Sequence, residues 1–156
     1  MYNMAKKILY GLLVLLVVIQ FIRPERNQSE IPSQNHIRVH YPVPANVETI
    51  LKRACYDCHS NYTNYPWYTN IQPVGWWLQN HVNEGKRELN FSEFAAYTPK
   101  KADHKMEEVV EMIEEKEMPL ESYTFIHKDA VLNDQEVKIL VDWANDLRKM
   151  IQPNIQ

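Results

Sequence analysis

Both cysteines of the chain stand in one short motif, Cys55-Tyr56-Asp57-Cys58-His59, which has the pattern C-x-x-C-H. On a helix, positions i, i+3 and i+4 lie on one face, so the two thiols and the imidazole would face the same way. This pattern is typical of covalent attachment of a c-type haem, in which each thiol forms a thioether with a vinyl group. We therefore predict that Cys55 and Cys58 attach one haem c and that His59 is the proximal ligand of its iron.

Two other kinds of site share part of this motif. A thioredoxin-like redox pair also has two cysteines at this spacing, but it normally follows a strand of a βαβ unit. A structural zinc site needs four ligands, which usually include a second pair of Cys or His residues. The sequence shows neither context, and the chain has no further cysteine. Haem attachment is therefore the preferred interpretation.

The sixth ligand of the iron has two candidates. Met118 comes directly before Pro119, downstream of the motif and at the end of a predicted helix. A methionine thioether is a common sixth ligand in cytochromes c. His81 lies on the apolar stripe of another predicted helix, where a histidine is more often a hydrogen-bonded core residue. We predict Met118 as the distal ligand and keep His81 as the alternative.

Helical periodicity predicts the elements that position these residues. Apolar residues recur at helical spacing in four stretches, and the chain has only 3 glycines, which disfavours a sheet protein. The first stretch runs from an N-cap at Asn46 into the motif, and the second begins at Pro73 and ends with Gly85 as its C-cap. The third follows an N-cap at Thr98, and the fourth follows a capping box at Asn133. We predict an all-α, cytochrome c-like domain around one covalent haem, spanning residues 45–150.

The N-terminal segment carries an apolar run at 8–22, preceded by Lys6 and Lys7. The run is shorter than the roughly 20 residues that span a bilayer, which favours a signal peptide. No small-residue cleavage site follows it, which favours an uncleaved anchor. Lys6, Lys7 and the amino terminus bias the N-terminus to the cytoplasm. We predict residues 1–22 as a transmembrane anchor or signal sequence and residues 23–44 as an extended linker. The domain would face the periplasm from the cytoplasmic membrane.

The charge of the chain limits its partners. The net charge is −3, which makes nucleic acid an unlikely partner. The third predicted helix has an acidic face made of Glu107, Glu108, Glu111, Glu114, Glu115 and Glu117. Such a face is usually only solvated, but in a redox carrier it would steer a basic partner. We predict a redox partner protein, basic in character, that docks near the exposed haem edge.

Further motifs extend the pattern over most of the chain. They are CYDCHSN at 55–61, PWY at 66–68, Pro73 with Trp76, HVNEG at 81–85, LNFS at 89–92, Met118-Pro119, Tyr123, His127 and Trp143. In these positions the sequence resembles the bacterial haem-binding domain family of small exported c-type cytochrome-like proteins. The resemblance implies Cys55, Cys58 and His59 as haem positions and Met118 as the distal position. The sequence departs from the pattern at Lys86, where Arg would directly follow Gly, and at Leu120, where such loops often carry a second proline.

Two functions are consistent with such a site. The leading one is transfer of single electrons on the periplasmic side, with the potential set by axial ligands, burial and propionate contacts. The alternative is a haem enzyme or sensor, peroxidase-like or gas-binding, with an open distal site. Six-coordinate low-spin iron would support the carrier, and five-coordinate high-spin iron would support the alternative. The sequence favours the carrier over an enzyme.

Overall fold

A computed structural model describes residues 2–29 and 31–155 of the chain. Within these ranges strand pairing is limited to an isolated bridge between Gln28 and Tyr62. The α-helices are α1 (Tyr2–Ile19), α2 (Ile37–His40), α3 (Ala45–Ala54), α4 (Tyr56–His59), α5 (Val74–Glu88), α6 (Pro99–Glu114), α7 (Glu121–Thr124) and α8 (Asp134–Ile151). Shorter 3-10 helices lie at Trp67–Asn70, Phe91–Ala96, Lys128–Ala130 and Gln152–Asn154. The all-α fold class is therefore confirmed.

The core is built on the pairing of α6 with α8, and α3 packs against α8 within the same hydrophobic cluster. The buried residues recur at three- and four-residue spacing, so each helix contributes one face. They are Val47, Ile50 and Leu51 on α3, Ala102, Met106 and Ile113 on α6, and Leu140, Trp143, Ala144, Leu147 and Ile151 on α8. Each buried Leu or Ile stabilises the fold by about 1.5–3 kcal/mol. The helix that leads into the cysteine motif is therefore anchored by its buried face in the core.

Side-chain caps fix the starts of α6 and α8, as the sequence predicts. The side chain of Thr98 accepts a hydrogen bond from the backbone N–H of Lys101 at 3.3 Å. Asn133 Oδ1 accepts from the N–H of Glu136 at 3.0 Å, and the Glu136 carboxylate accepts from the N–H of Asn133 at 3.1 Å. A cap of this kind contributes about 1 kcal/mol.

The helix predicted from Asn46 into the cysteine motif has different bounds. It begins at Ala45, with Pro44 at the N-cap position, and ends at Ala54. At Cys55 the backbone angles are φ −128° and ψ −45°, and α4 forms a separate turn. Apolar periodicity continues across the break because it reports which side chains are buried, not where one backbone angle changes.

Residues 23–44, predicted as an extended linker, fold onto the domain. The side-chain amide of Asn27 donates to the carbonyl oxygen of Ser60 and to Thr63 Oγ1, both at 2.9 Å. Ile37 is fully buried, and α2 packs against the 3-10 helix Phe91–Ala96. These buried residues are isolated along the segment, so no periodic pattern marks them.

The first helix, α1, lies outside the core. Its large apolar side chains are exposed, and the part after Lys7 is about 18 Å long at 1.5 Å per residue, against about 30 Å for the hydrocarbon core of a bilayer. In residues 2–29 and 31–155, no helix has both the length and the apolar character needed to cross a membrane. The transmembrane form of the predicted anchor is therefore unsupported.

The end of α1 is nevertheless fixed to the domain. The backbone N–H of Gln72 donates to Gln20 Oε1 at 2.9 Å, and Gln20 Nε2 donates back to the Gln72 carbonyl oxygen at 3.1 Å. The indole N–H of Trp76 donates to the carbonyl oxygen of Ile22 at 2.7 Å. The chain therefore enters the domain beside the start of α5.

Candidate functional site

The cysteine motif forms one closed turn. The backbone N–H groups of Cys58 and His59 both donate to the carbonyl oxygen of Cys55, at 3.2 and 2.9 Å. This turn keeps the helical i, i+3, i+4 relation inside the motif, although the preceding helix ends at Ala54. As a result, Cys55, Cys58 and His59 line one cavity.

That cavity has a volume of about 360 Å³, within the roughly 300–1,000 Å³ usual for cofactor and ligand sites. Two smaller cavities share part of its lining. One, of about 80 Å³, shares Cys55, His59 and Met118 and extends toward the apolar core. The other, of about 70 Å³, shares Cys58 and Tyr123 and opens along α5. The motif therefore faces an elongated and largely apolar space.

The ring of His59 is held in one orientation. Its Nδ1 donates to the carbonyl oxygen of Leu89 at 2.9 Å, so the lone pair of the neutral ring lies on Nε2. Burial lowers the pKa of His59, although the backbone carbonyl groups of Leu89 and Gly85 act in the opposite direction. Neutral imidazole with one nitrogen bonded to a carbonyl is the usual state of a metal-ligating histidine.

Both thiols of the motif are protonated at neutral pH. Burial raises the pKa of Cys55 to about 12, with a further contribution from Cys58. Burial and the Asp57 carboxylate raise the pKa of Cys58 to about 11. A redox-active pair needs an accessible thiolate, which the raised pKa values of Cys55 and Cys58 disfavour. A structural zinc site needs four ligands, and no group of three or more His, Cys, Asp or Glu side chains in the described residues could hold a metal ion. Both alternative interpretations of the motif are therefore disfavoured.

Gly85 lies inside α5, which continues to Glu88, so its predicted role as a C-cap is wrong. A Cβ atom at Gly85 would lie 2.7 Å from the carbonyl oxygen of Cys58 and 3.0 Å from the Cβ of that cysteine. Both distances are shorter than ordinary van der Waals contacts. Glycine therefore allows α5 to approach the cysteine turn and to form one wall of the cavity.

Both predicted distal candidates line the main cavity with His59. Met118 follows α6, where its backbone N–H donates to the carbonyl oxygen of Met112 at 3.1 Å. His81 lies on α5, where its Nδ1 bonds to the carbonyl oxygen of Trp77 at 2.9 Å, and the centroids of the two rings are 4.4 Å apart. The fold therefore brings all the predicted site residues to one cavity.

A further pair, whose contact the sequence does not predict, joins the cysteine turn to the segment after Met118. The hydroxyl of Tyr123 donates to Asp57 Oδ2 at 2.8 Å. Burial, together with the Asp57 carboxylate, raises the pKa of Tyr123, so the phenol keeps its proton. The two residues are 66 positions apart, and no local pattern relates them.

The residues around the cavity fit a haem. Two thiols and one imidazole nitrogen face a space with apolar walls, and the backbone at Gly85 approaches the cysteine turn closely. Neither a curated protein nor a solved structure matches the chain. A family model described as a haem-binding domain matches residues 14–146. Because this match covers most of the sequence, the chain belongs to the haem-binding domain family.

Proposed function

We propose that the chain is a monohaem c-type cytochrome-like electron carrier. The main support is that Cys55, Cys58 and His59 line one cavity. In addition, Nδ1 of the histidine donates a hydrogen bond to the carbonyl oxygen of Leu89. Each thiol would add across one vinyl group, so that sulfur bonds to one carbon and the thiol proton moves to the other. This addition needs no oxidant. The free Nε2 of His59 would bind the iron.

We propose Met118 as the distal ligand, with His81 as the alternative. A thioether is a soft ligand that favours reduced iron, so it raises the potential above that of bis-histidine ligation. Met118 lines both the main cavity and its extension beside His59. A filled sixth position favours electron transfer over the peroxidase-like or gas-binding alternative.

Haem bound here supplies one-electron chemistry, because its iron alternates between the ferric and ferrous states. The side chains supply attachment and environment. Leu51, Leu89 and Phe91 contribute apolar walls that keep water from the site. The hydrogen bond from His59 to Leu89 increases the basicity of the ligand nitrogen.

The proposed location is the periplasmic side of the cytoplasmic membrane. Lys6 and Lys7 lie in the first turns of α1, before its exposed apolar part, as in a targeting segment. The domain also exposes Trp67 and Trp77, at 75% and 50%, and tryptophan is suited to a membrane surface. Membrane fractionation with N-terminal sequencing tests this location. A soluble mature protein that begins after Ile22 would preserve export but reject attachment to the membrane.

A basic redox partner is proposed for the acidic end of α6. Glu107 pairs with Arg148, and Glu108 pairs with Lys105. Four exposed glutamates at the end of α6 and in the turn after it have no ion pair among the described residues: Glu111, Glu114, Glu115 and Glu117, the last next to Met118 in the sequence. This charge would accelerate association with a basic protein, and the rate should fall as salt increases.

Optical spectra of the purified, haem-loaded chain test the proposed function. We expect six-coordinate low-spin haem in both oxidation states and a near-red charge-transfer band in the ferric state. A five-coordinate high-spin spectrum, with carbon monoxide binding to the unaltered protein, would contradict the carrier and support the haem enzyme or sensor.

A further inference from the structure

We infer that Tyr123 is a positioning residue for the distal ligand, because its hydrogen bond to Asp57 ties the segment after Met118 to the cysteine turn. This inference rests on the proposed function, since it concerns ligation by Met118. It adds a pair of residues that would control the strength of that ligation without bonding to the iron themselves.

The segment 119–127 has little packing of its own. Most of its backbone hydrogen bonds join residues of the segment to each other. For example, the N–H groups of Tyr123 and Thr124 both donate to the carbonyl oxygen of Leu120 at 3.0 Å. The side chain of Phe125 is 74% exposed. A segment with few buried apolar contacts opens at low free-energy cost unless other bonds hold it.

Two side-chain hydrogen bonds, among those in residues 2–29 and 31–155, join this segment to the cysteine turn and the loop after it. One is the bond of 2.8 Å from Tyr123 to Asp57. The other joins the hydroxyl of Tyr68 to Nε2 of His127 at 3.0 Å. The rings of Tyr123 and His127 stack at a centroid distance of 4.3 Å and an angle of 16°. The two tethers therefore act as one unit.

The Asp57 end of the tether is firmly held. Asp57 Oδ1 accepts a hydrogen bond from the backbone N–H of Asn64 at 3.0 Å, and its carbonyl oxygen accepts one from Thr63 Oγ1 at 2.6 Å. A carboxylate acceptor also makes the bond from Tyr123 stronger than a bond between neutral groups.

The tether bears directly on the distal position. Met118, Pro119, Leu120 and Tyr123 line the same cavity as His59, and Met118 is joined to the segment through Pro119. If the bond of Tyr123 is lost, this wall moves more freely relative to the cysteine turn. The thioether would then spend less time within reach of iron held by His59, and a small external ligand would compete more easily.

The test compares Tyr123→Phe with the unaltered protein, both as haem-loaded full chains. Imidazole competes with Met118 for ferric iron, and loss of one hydrogen bond to a charged acceptor should raise its apparent affinity about ten-fold. The near-red band should disappear at correspondingly lower imidazole concentrations. Tyr62→Phe is the matched control, since Tyr62 is exposed and lies away from the haem cavity. Its imidazole affinity should equal that of the unaltered protein.

Variants at Asp57 separate positioning from general destabilisation. Asp57→Asn keeps an acceptor oxygen and should increase imidazole affinity less than Asp57→Ala. In Asp57→Ala, the further change Tyr123→Phe should have little effect, because the bond is already absent. Should Tyr123→Phe not accumulate as haem protein, Tyr68→Phe cuts the coupled tether and should also increase the affinity.

The outcomes distinguish this inference from the proposed function. Suppose that the unaltered protein shows the near-red band. Unchanged imidazole affinity in Tyr123→Phe then overturns the inference, and so does unchanged affinity in Tyr68→Phe if that variant is used instead. Fully additive effects in the double variant overturn it as well. The proposed ligation by Met118 fails if the unaltered protein lacks the near-red band or if the Met118→Ala variant still shows it. In either case the inference about Tyr123 fails with it.

Discussion

The Nδ1 atom of His59 lies 2.9 Å from the carbonyl oxygen of Leu89, a residue 30 positions later in the chain. The ring of His59 is therefore oriented by a backbone group at the end of α5, not by a side chain. The same stretch contains Gly85, whose backbone approaches Cys58. Thus one end of α5 both orients the histidine and closes against the cysteine turn.

The first prediction concerns the bond to the cofactor. In the unaltered protein, acid–acetone extraction should leave haem on the polypeptide, because Cys55 and Cys58 would hold it by thioethers. Denaturing mass spectrometry should show the added haem mass. In the double variant Cys55→Ser and Cys58→Ser, any haem should pass into the organic layer. Two thiols free for alkylation in the mature unaltered protein would contradict covalent attachment.

The second prediction assigns the sixth ligand. Met118→Ala should abolish the near-red band and allow carbon monoxide to bind the ferrous haem, because the sixth position is vacated. His81→Ala should keep the band, which makes it the matched comparison on the same cavity. If His81→Ala alone converts the haem to high spin and the unaltered protein lacks the band, the site is a bis-histidine one of lower potential.

The third prediction tests the close approach of α5 to the cysteine turn. Gly85→Ala places a methyl group 2.7 Å from the carbonyl oxygen of Cys58, so backbone must shift. Overpacking of this kind should lower the free energy of unfolding by about 1–3 kcal/mol, measured by chemical denaturation. Gly11→Ala is the control, since no atom lies within 4 Å of its added Cβ. Equal free energies of unfolding for Gly85→Ala and Gly11→Ala would show that the cysteine turn accommodates the added methyl group without loss of stability.

The fourth prediction concerns acid stability. Burial raises the pKa of Glu93, but hydrogen bonds from Asn35, Ser33 and Asn61, with the charge of Lys86, outweigh burial and leave this pKa below its usual value. A lowered pKa in the folded state stabilises the protein above the unfolded pKa of about 4.3. That stabilisation is lost as the pH falls through the folded pKa.

Glu93→Gln should therefore reduce the free energy of unfolding at pH 7 and weaken its decline on acidification below about pH 5. Denaturant titrations at several pH values measure both effects. The exposed Glu25→Gln is the control for removing one negative charge. Parallel pH profiles for Glu93→Gln and the unaltered protein would show that the hydrogen bonds to Glu93 do not contribute.

The sequence by itself determined the chemistry of the site. Cys55, Cys58 and His59 lie within one turn, so their relation depends on local backbone geometry alone. The all-α class and the caps at Thr98 and Asn133 are also local, because each depends on residues three or four positions apart.

Only the tertiary structure decided which distant groups complete the site. The carbonyl oxygen of Leu89 beside His59 and the bond from Tyr123 to Asp57 both depend on how separate helices and turns meet. Gly85 shows the same limit, since its place near the helix end predicted a cap, whereas contact with Cys58 explains it. Periodicity reports that a residue is buried but not which distant group it meets, because that depends on how the helices pack.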